Sequence, residues 1–526
     1  MTLRYRDISL ELNEEESLLP LKVAEQLGVS VTQILDFTVV RRSIDARRKP
    51  RVLRVFTVEF NTPLEQQFLS SGKASGRLEL CSPVVLERPL PVSRPVRVVV
   101  VGMGPAGLFS ALRLVEAGVD VTLVEMGDPV EERVRRVERF WAEGLLDSTS
   151  NVQFGEGGAG TFSDGKLNTR VKHAGIREVL QTLVRFGADP LILQQAKPHV
   201  GSDRLRKVLI MFRKFLQRSG VTIRYRCQLT DMEFFKGTLQ SAIVDHQNAV
   251  PCDALVLAPG HSATQTFEML SGHGVTLEPK PFAMGVRVDH PAELINEIQF
   301  GLRQHDKLPA ADYALTYNDR QTGRGVYSFC MCPGGDVINA SSEAHGVVVN
   351  GMSRRLRDGL RSNSALVVTV REEDYFTGSP LDGLYYQRTW EKKAYSAGGG
   401  AFKVPSQSLT GFLNKKTGRA TAYCPPGVKE TDLREVLPQF VIDGIRSALP
   451  HFDRKMRGFV TGEANLYGVE TRTSSPLRIL RNEFGESVSH PGLYPAGEGA
   501  GYAGGIMSAA LDGIKTADAI LKKHQS

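Results

Sequence analysis

The run Val98-Val99-Val100-Val101 passes directly into Gly102-Met103-Gly104-Pro105-Ala106-Gly107, and this junction constrains the fold more than any other feature. Consecutive β-branched residues suit a strand buried on both faces of a parallel sheet, where polar alternation is lost. The glycine pattern opens a helical stretch, Leu108 to Ala117, that Gly118 stops. Val121 to Glu125 reads as the next strand. The unit is βαβ, the context in which G-x-G-x-x-G marks a dinucleotide site. Gly102 makes the tight turn, Gly104 lets backbone reach a pyrophosphate, and Gly107 allows close helix–strand packing. Pro105 and Ala106 begin the helix, whose free amides and dipole favour an anion at that end. Glu125 follows Gly107 by 18 residues and is placed to accept hydrogen bonds from a ribose. Alone, the motif does not separate NAD from FAD.

Two distant segments make that separation. Near the C-terminus stands Tyr494-Pro495-Ala496-Gly497-Glu498-Gly499, followed by Gly504-Gly505-Ile506 and a helix of small residues. It resembles the second phosphate-binding segment of two-domain flavoproteins, where an acid binds the ribityl chain and a helix N-terminus faces the cofactor. The usual acid there is Asp, and Glu498 is longer by one methylene. Between the two lies Asp253-Ala254-Leu255-Val256-Leu257-Ala258-Pro259-Gly260. This is similar to the short strand and turn of the same superfamily, with Pro259 where Thr is usual. NAD dehydrogenases need only the first motif, whereas the ordered set implies FAD. The resulting assignment to FAD covers Gly102, Gly104, Pro105, Ala106, Gly107, Glu125, Ala258, Gly260, Gly497, Glu498, Gly504, Gly505 and Ile506. Gly398-Gly399-Gly400 lacks the strand and acid of a second dinucleotide motif, and no C-x4-C pair points to a resident NAD(P)H domain of the disulfide-reductase kind.

The expected fold is therefore α/β: a Rossmann-like FAD domain of the two-dinucleotide-binding type, an inserted mixed α+β substrate domain, and a small α+β N-terminal module. A chain of 526 residues requires more than one core. Residues 1–82 alternate strand, helix and strand patterns, with the helical stretch broken at Gly28. Residues 83–97 carry Pro83, Pro89, Pro91 and Pro95 and read as an extended linker. Residues 98–279 form the first part of the FAD domain, 280–459 the substrate domain, and 460–526 the C-terminal part of the FAD domain.

At Asn151-Val152-Gln153-Phe154-Gly155-Glu156-Gly157-Gly158-Ala159-Gly160-Thr161-Phe162-Ser163-Asp164-Gly165-Lys166 the sequence resembles the bacterial FAD-dependent dehydrogenases labelled uncharacterised. The likeness continues at Lys280-Pro281-Phe282-Ala283-Met284-Gly285-Val286-Arg287, at Tyr327 to Gly335 and at Asn350-Gly351-Met352-Ser353. It implies that the loop wraps the flavin edge, with Gly158, Thr161 and Ser163 on the cofactor. Lys166 is then the cation that stabilises an anionic reduced flavin. His261, directly after Gly260, is the second catalytic candidate.

The remaining polar features are read more plainly. Cys330 and Cys332 are expected to be structural: on a regular strand their side chains share one face, and a C-x-C bridge would close a small strained loop. Arg287 and Arg324 are expected in surface ion pairs rather than on an acidic substrate. The six cysteines form no disulfide framework in so long a chain, and the N-terminus lacks a signal-peptide core. A cytoplasmic protein is expected, with no membrane span and an open oligomeric state. The net charge of +7 and the basic run from Arg41 to Arg54 leave a nucleic-acid partner as the alternative. In that alternative an RNA-directed flavoprotein uses its N-terminal module to hold RNA. The preferred function is hydride transfer between FAD and a small organic substrate, or NAD(P)H that docks transiently.

Overall fold

The computed structural model describes residues 2–70, 76–81, 89–169, 171–414 and 421–525. Residues 82–88, which include Pro83 of the expected linker, lie outside the described residues. The valine run forms the strand Arg97–Val101 at the centre of a five-stranded sheet. Across that sheet the order is Leu493–Pro495, Ala254–Leu257, Arg97–Val101, Asp120–Glu125 and Thr222–Tyr225, all parallel. The three segments expected to hold the cofactor are thus adjacent, although Val101 and Leu493 are far apart in sequence. Each strand ends at the same edge, which is where open α/β sheets bind ligands.

Two helices cover one face of this sheet. Pro105–Glu116 and Ile506–Gln525 pack against each other through small residues. The Ser110 hydroxyl donates to the Gly513 carbonyl at 2.8 Å, and a Cβ at Gly513 would stand 2.1 Å from the Ala106 carbonyl oxygen. The glycine- and alanine-rich sequence of the last helix therefore serves close packing as well as the turn before it. An antiparallel meander, Leu229–Phe235, Thr238–Val244 and Asn248–Pro251, shares a core with the opposite face.

The inserted domain is built on a seven-stranded mixed sheet. Its order is Thr316–Asn318, Gly325–Cys332, Arg361–Val370, Phe282–Pro291, Asn465–Glu470, Val404–Ser408 and Val428–Glu430. The helix Gln439–Lys455 buries its apolar stripe against this sheet. The strand Asn465–Glu470 lies past the expected boundary at 459 and is buried throughout, paired with Phe282–Pro291. The chain crosses between the two domains at Leu277–Pro279 and Leu477–Ile479, and these two short strands pair with each other.

The N-terminal module is a four-stranded antiparallel sheet with the helix Leu19–Leu27 on one face, ended by Gly28. It docks on the rest of the chain. The Arg42 amide donates to the Gln194 carbonyl at 2.6 Å, the Ala196 amide returns to the Arg42 carbonyl at 2.9 Å, and Val52 joins the core of the inserted domain. Much of the basic run is engaged: Arg42 and Arg54 face Glu16, Arg47 pairs with Asp45, Arg51 with Glu11, and Lys49 donates to the Ile298 carbonyl. No described helix is long and apolar enough to cross a membrane.

Candidate functional site

The carboxyl edge of the parallel sheet and the inserted domain enclose a cavity of about 790 Å³. It is lined by Gly102, Gly104, Pro105, Ala106, Glu125, Gly158, Ser163, Lys166, Ala258, Gly260, His261, Gly497, Glu498, Gly504, Gly505 and Ile506. The inserted domain contributes Phe329, Cys330, Asn350, Glu470, Arg472 and Thr473.

The first turn has the stereochemistry its glycines suggested. Gly102 sits at φ +93°, and a Cβ there would stand 2.3 Å from the Ala258 carbonyl oxygen. Gly104 is different. It has ordinary extended geometry, and nothing but the Gly158 Cα, at 4.0 Å, approaches its Cβ position. Gly504 and Gly505 likewise face open space. Two helix N-termini, at Pro105 and Ile506, therefore open onto a cradle with room for a phosphate. That arrangement fits the diphosphate of FAD. Gly107 does not line the cavity; a Cβ there would meet the Gly102 carbonyl at 1.9 Å, so its part is packing.

Glu125 does more than its expected role requires. Its carboxylate accepts from the amides of Met103 at 2.8 Å, Gly127 at 2.9 Å and Gly155 at 3.0 Å. A carboxylate has about four acceptor positions, so one remains for a ribose hydroxyl. The same side chain thereby ties the glycine turn to the loop that follows.

That loop hangs on Arg133, a fully buried residue with no counterpart among the sequence candidates. Its guanidinium donates to the carbonyls of Asn151 at 2.8 Å, Val152 at 2.9 Å, Glu156 at 2.7 Å and Gly158 at 2.9 Å. In sequence it cannot be told from Arg135, Arg136 and Arg139 on the same charged helix. Thr161 is a correction to the expected set. It is fully buried inside the loop, its hydroxyl donates to the Glu156 carbonyl at 3.0 Å and accepts from Arg133 at 3.1 Å, and it does not line the cavity.

Lys166 reaches the cavity with its Nζ 3.2 Å from Asp164 and 4.0 Å from the Cys332 sulfur. Burial works against its charge, but Cys332, Cys330 and Asp164 outweigh this and hold its pKa above the usual value. Asp164 is buried too, yet Lys166 and Arg357 bring it down to about 2. Burial pushes Glu498 up to about 7, with Lys280 opposing. His261 donates to or accepts from the Ser262 hydroxyl at 2.8 Å; burial and Arg472 push it down to about 4, so it is neutral at pH 7.

Arg287 is not on the surface. It is fully buried and forms a two-pronged ion pair with Glu470 at 2.6 and 2.8 Å, with a further bond to Asn363 at 2.7 Å. Arg324 pairs with Asp374 at 2.6 Å, outside the cavity lining. The regular-strand geometry expected for Cys330 and Cys332 is also not found. The ladder with Arg361–Val370 slips between Phe329 and Cys332, and Cys330 takes a left-handed conformation at φ 45°. Cys330 lines the cavity, while Cys332 is buried behind it. Glu470 and Arg472 were also missed; the signal available was a charged Glu-Thr-Arg following the apolar Leu466 to Val469.

Fold and site together define a Rossmann-type flavoprotein with an inserted domain over the cofactor edge. Residues 95–136 match an FAD binding domain, residues 281–473 match the C-terminal domain-like region of FAD-dependent proteins, and residues 2–61 match a domain of unknown function. A Clostridium beijerinckii protein, described only as uncharacterised, is 42% identical over 99% of both chains. The chain belongs to this family of uncharacterised FAD-dependent proteins, and FAD is its cofactor. Solved structures give weaker likeness. Glycine oxidase from Bacillus cereus matches 82% of this chain and 96% of its own at 13% identity and a TM-score of 0.32. Glycerol-3-phosphate dehydrogenase from Bacillus halodurans, complexed with FAD, matches 82% and 65% at 12% identity and a TM-score of 0.35. At these scores neither bears on the activity of this chain.

Proposed function

We propose that the protein is an FAD-dependent oxidoreductase that takes hydride from a small organic substrate, or from NAD(P)H docking transiently. The observation that carries this is the continuity of the cavity: residues suited to the cofactor and polar residues of the inserted domain line one space. Bound FAD supplies a two-electron acceptor; the residues of the chain bind, orient and set charge. Gly102, Gly104, Pro105, Ala106, Gly504, Gly505 and Ile506 form the diphosphate site: the two helix N-termini supply the dipoles and free amides, the glycines allow close approach, and Pro105, which has no N–H, starts the first helix. Glu125 takes the adenosine ribose with its remaining acceptor position. Glu498, at the foot of the second turn, takes a ribityl hydroxyl.

Lys166 places a positive charge in the wall of the cavity, and its burial beside Asp164 keeps it from swinging into solvent. Neutral His261 serves as a hydrogen-bonding group and not as a cation. Arg472 is held by Glu391 at 2.7 Å and by the Ser342 hydroxyl at 2.6 Å, so it presents a fixed edge to a substrate. Anaerobic mixing of the yellow protein with NADH, NADPH and fractionated metabolites tests the proposal. Bleaching of the flavin by one of these is expected. A flavin that no donor reduces, though dithionite does, would contradict it.

A further inference from the structure

On a regular strand the two cysteines would be packing residues. The bulge at Cys330 removes that premise. Between Phe329 and Cys332 two residues, Cys330 and Met331, stand opposite Ser364 alone. A bulge re-aims a side chain, and here it turns Cys330 out of the ladder into the cavity. A non-glycine residue held left-handed is uncommon, and such residues cluster at functional sites. Phe329, beside it, is partly exposed toward the same space.

The setting of the sulfurs is polar and charged, with cations and carboxylates in ion pairs. Lys166 Nζ lies 4.0 Å from the Cys332 sulfur. Arg287 donates to the Cys330 carbonyl at 3.3 Å, and Asp164 and Glu470 complete the charged groups around the pair. The Cys332 thiol donates to the Cys330 carbonyl at 3.4 Å, and the Cys332 side chain is the largest influence on the Cys330 thiol, with Lys166 and Arg287 acting in the same direction. Burial opposes them, and Cys330 still ionises below an ordinary thiol while Cys332 is pushed above one. An attacking thiolate beside a protonated partner thiol is the arrangement that thiol–disulfide chemistry requires. Cys81, Cys252 and Cys424 line no part of this cavity; Cys227 lines it beside Gln228 and Leu229, away from the pair, and burial raises the pKa of all four.

We infer that Cys330 and Cys332 form a redox-active dithiol in the substrate chamber, with Cys330 as the nucleophile, Cys332 as its partner and Lys166 as the counter-ion. The inference rests on FAD occupying the same cavity. In the oxidising direction the Cys332 S–H bond is lost and one S–S bond forms with the Cys330 thiolate; two electrons and one proton pass to FAD, giving the anionic reduced flavin FADH⁻. In the reducing direction the disulfide takes them back. Two residues span at most about 7 Å between Cα atoms, against the 4.4–6.8 Å of known disulfides.

Anaerobic reductive titration of the oxygen-oxidised holoprotein reads this directly. A two-electron disulfide in addition to FAD gives four electrons per flavin, and Cys332→Ala with FAD bound gives two. The peptide containing Cys330 and Cys332 is expected to be two hydrogens lighter before reduction and to resist iodoacetamide until dithionite is added. If Cys332→Ala does not fold, the wild-type electron count and peptide mass decide alone. Two electrons per flavin in the wild type, with both thiols alkylated after oxidation, would overturn the inference. A protein without flavin would instead overturn the cofactor placement, so the two failures are distinct.

Discussion

Replacing Gly104 by Val separates folding from cofactor binding. The Gly104 backbone is extended, at φ −71° and ψ 179°, and precedes Pro105, a setting that favours extended geometry for any residue. No atom lies nearer than 4.0 Å to the Cβ position. Val fits the free protein without strain, and fewer unfolded conformations compensate any small clash, so stability should change by less than about 1 kcal/mol. The new methyl groups, however, fill the gap between Gly104 and Gly158 where a diphosphate must meet backbone amides. Hydrogen bonds to a charged group contribute about 1.5–3 kcal/mol each. Losing two removes about 3–6 kcal/mol, or roughly 10²–10⁴ in Kd. The assay is FAD titration of the apoprotein by flavin fluorescence, with thermal unfolding of the same sample. Gly102→Ala is the control with the opposite signature: at φ +93° and 2.3 Å from a carbonyl oxygen, its Cβ should destabilise the apoprotein by about 2 kcal/mol or more. An unchanged FAD affinity in Gly104→Val would refute the placement of the diphosphate.

Three further outcomes follow from the site. Lys166→Met should leave FAD bound but make it harder to reduce, by at most about 3 kcal/mol at an effective dielectric near 20; an unchanged midpoint potential would place the charge away from the ring. Glu498 is raised from 4.5 to about 7, so its folded form holds a proton more tightly than its unfolded form, and its contribution to stability is lost as pH rises between those values. Apoprotein unfolding should therefore show a shallower fall from pH 5 to pH 8 in Glu498→Gln than in wild type, with Glu156, raised in the same sense, supplying the remainder; equal slopes would sink this assignment. Arg133→Met leaves buried carbonyls of the cavity loop without donors and should cost about 3–5 kcal/mol in denaturant unfolding; a cost below about 1 kcal/mol would contradict its role as the loop's support.

The parallel sheet and its ligand edge were legible because their signals are local. Val98 to Val101, the Gly102 turn and Glu125 form a strand, a turn and a strand within one short stretch, and the two distant segments carry the same grammar. The last strand of the inserted sheet was not legible, because a strand such as Asn465–Glu470 is assigned to a sheet by partners far away in sequence, here Phe282–Pro291 and Val404–Ser408. Arg133 was hidden by its neighbours: a charged helix looks solvated, and only tertiary packing selects which arginine turns inward. Thr161 lay in the right loop on the wrong side, since loop curvature decides which hydroxyl faces the ligand. Cys330 failed for a physical reason of its own. Alternation along a strand predicts side-chain direction only while the ladder keeps register, and a bulge of one residue reverses the answer.

The three glycine-containing segments are expected to hold one FAD, non-covalently, in the cavity of about 790 Å³. The most direct test is to purify the protein, denature it, and identify and count what is released. One FAD per chain, left in the supernatant with none attached to the precipitated protein, is the predicted result. A colourless protein that takes up no added FAD, or one that releases only NAD, would contradict the account.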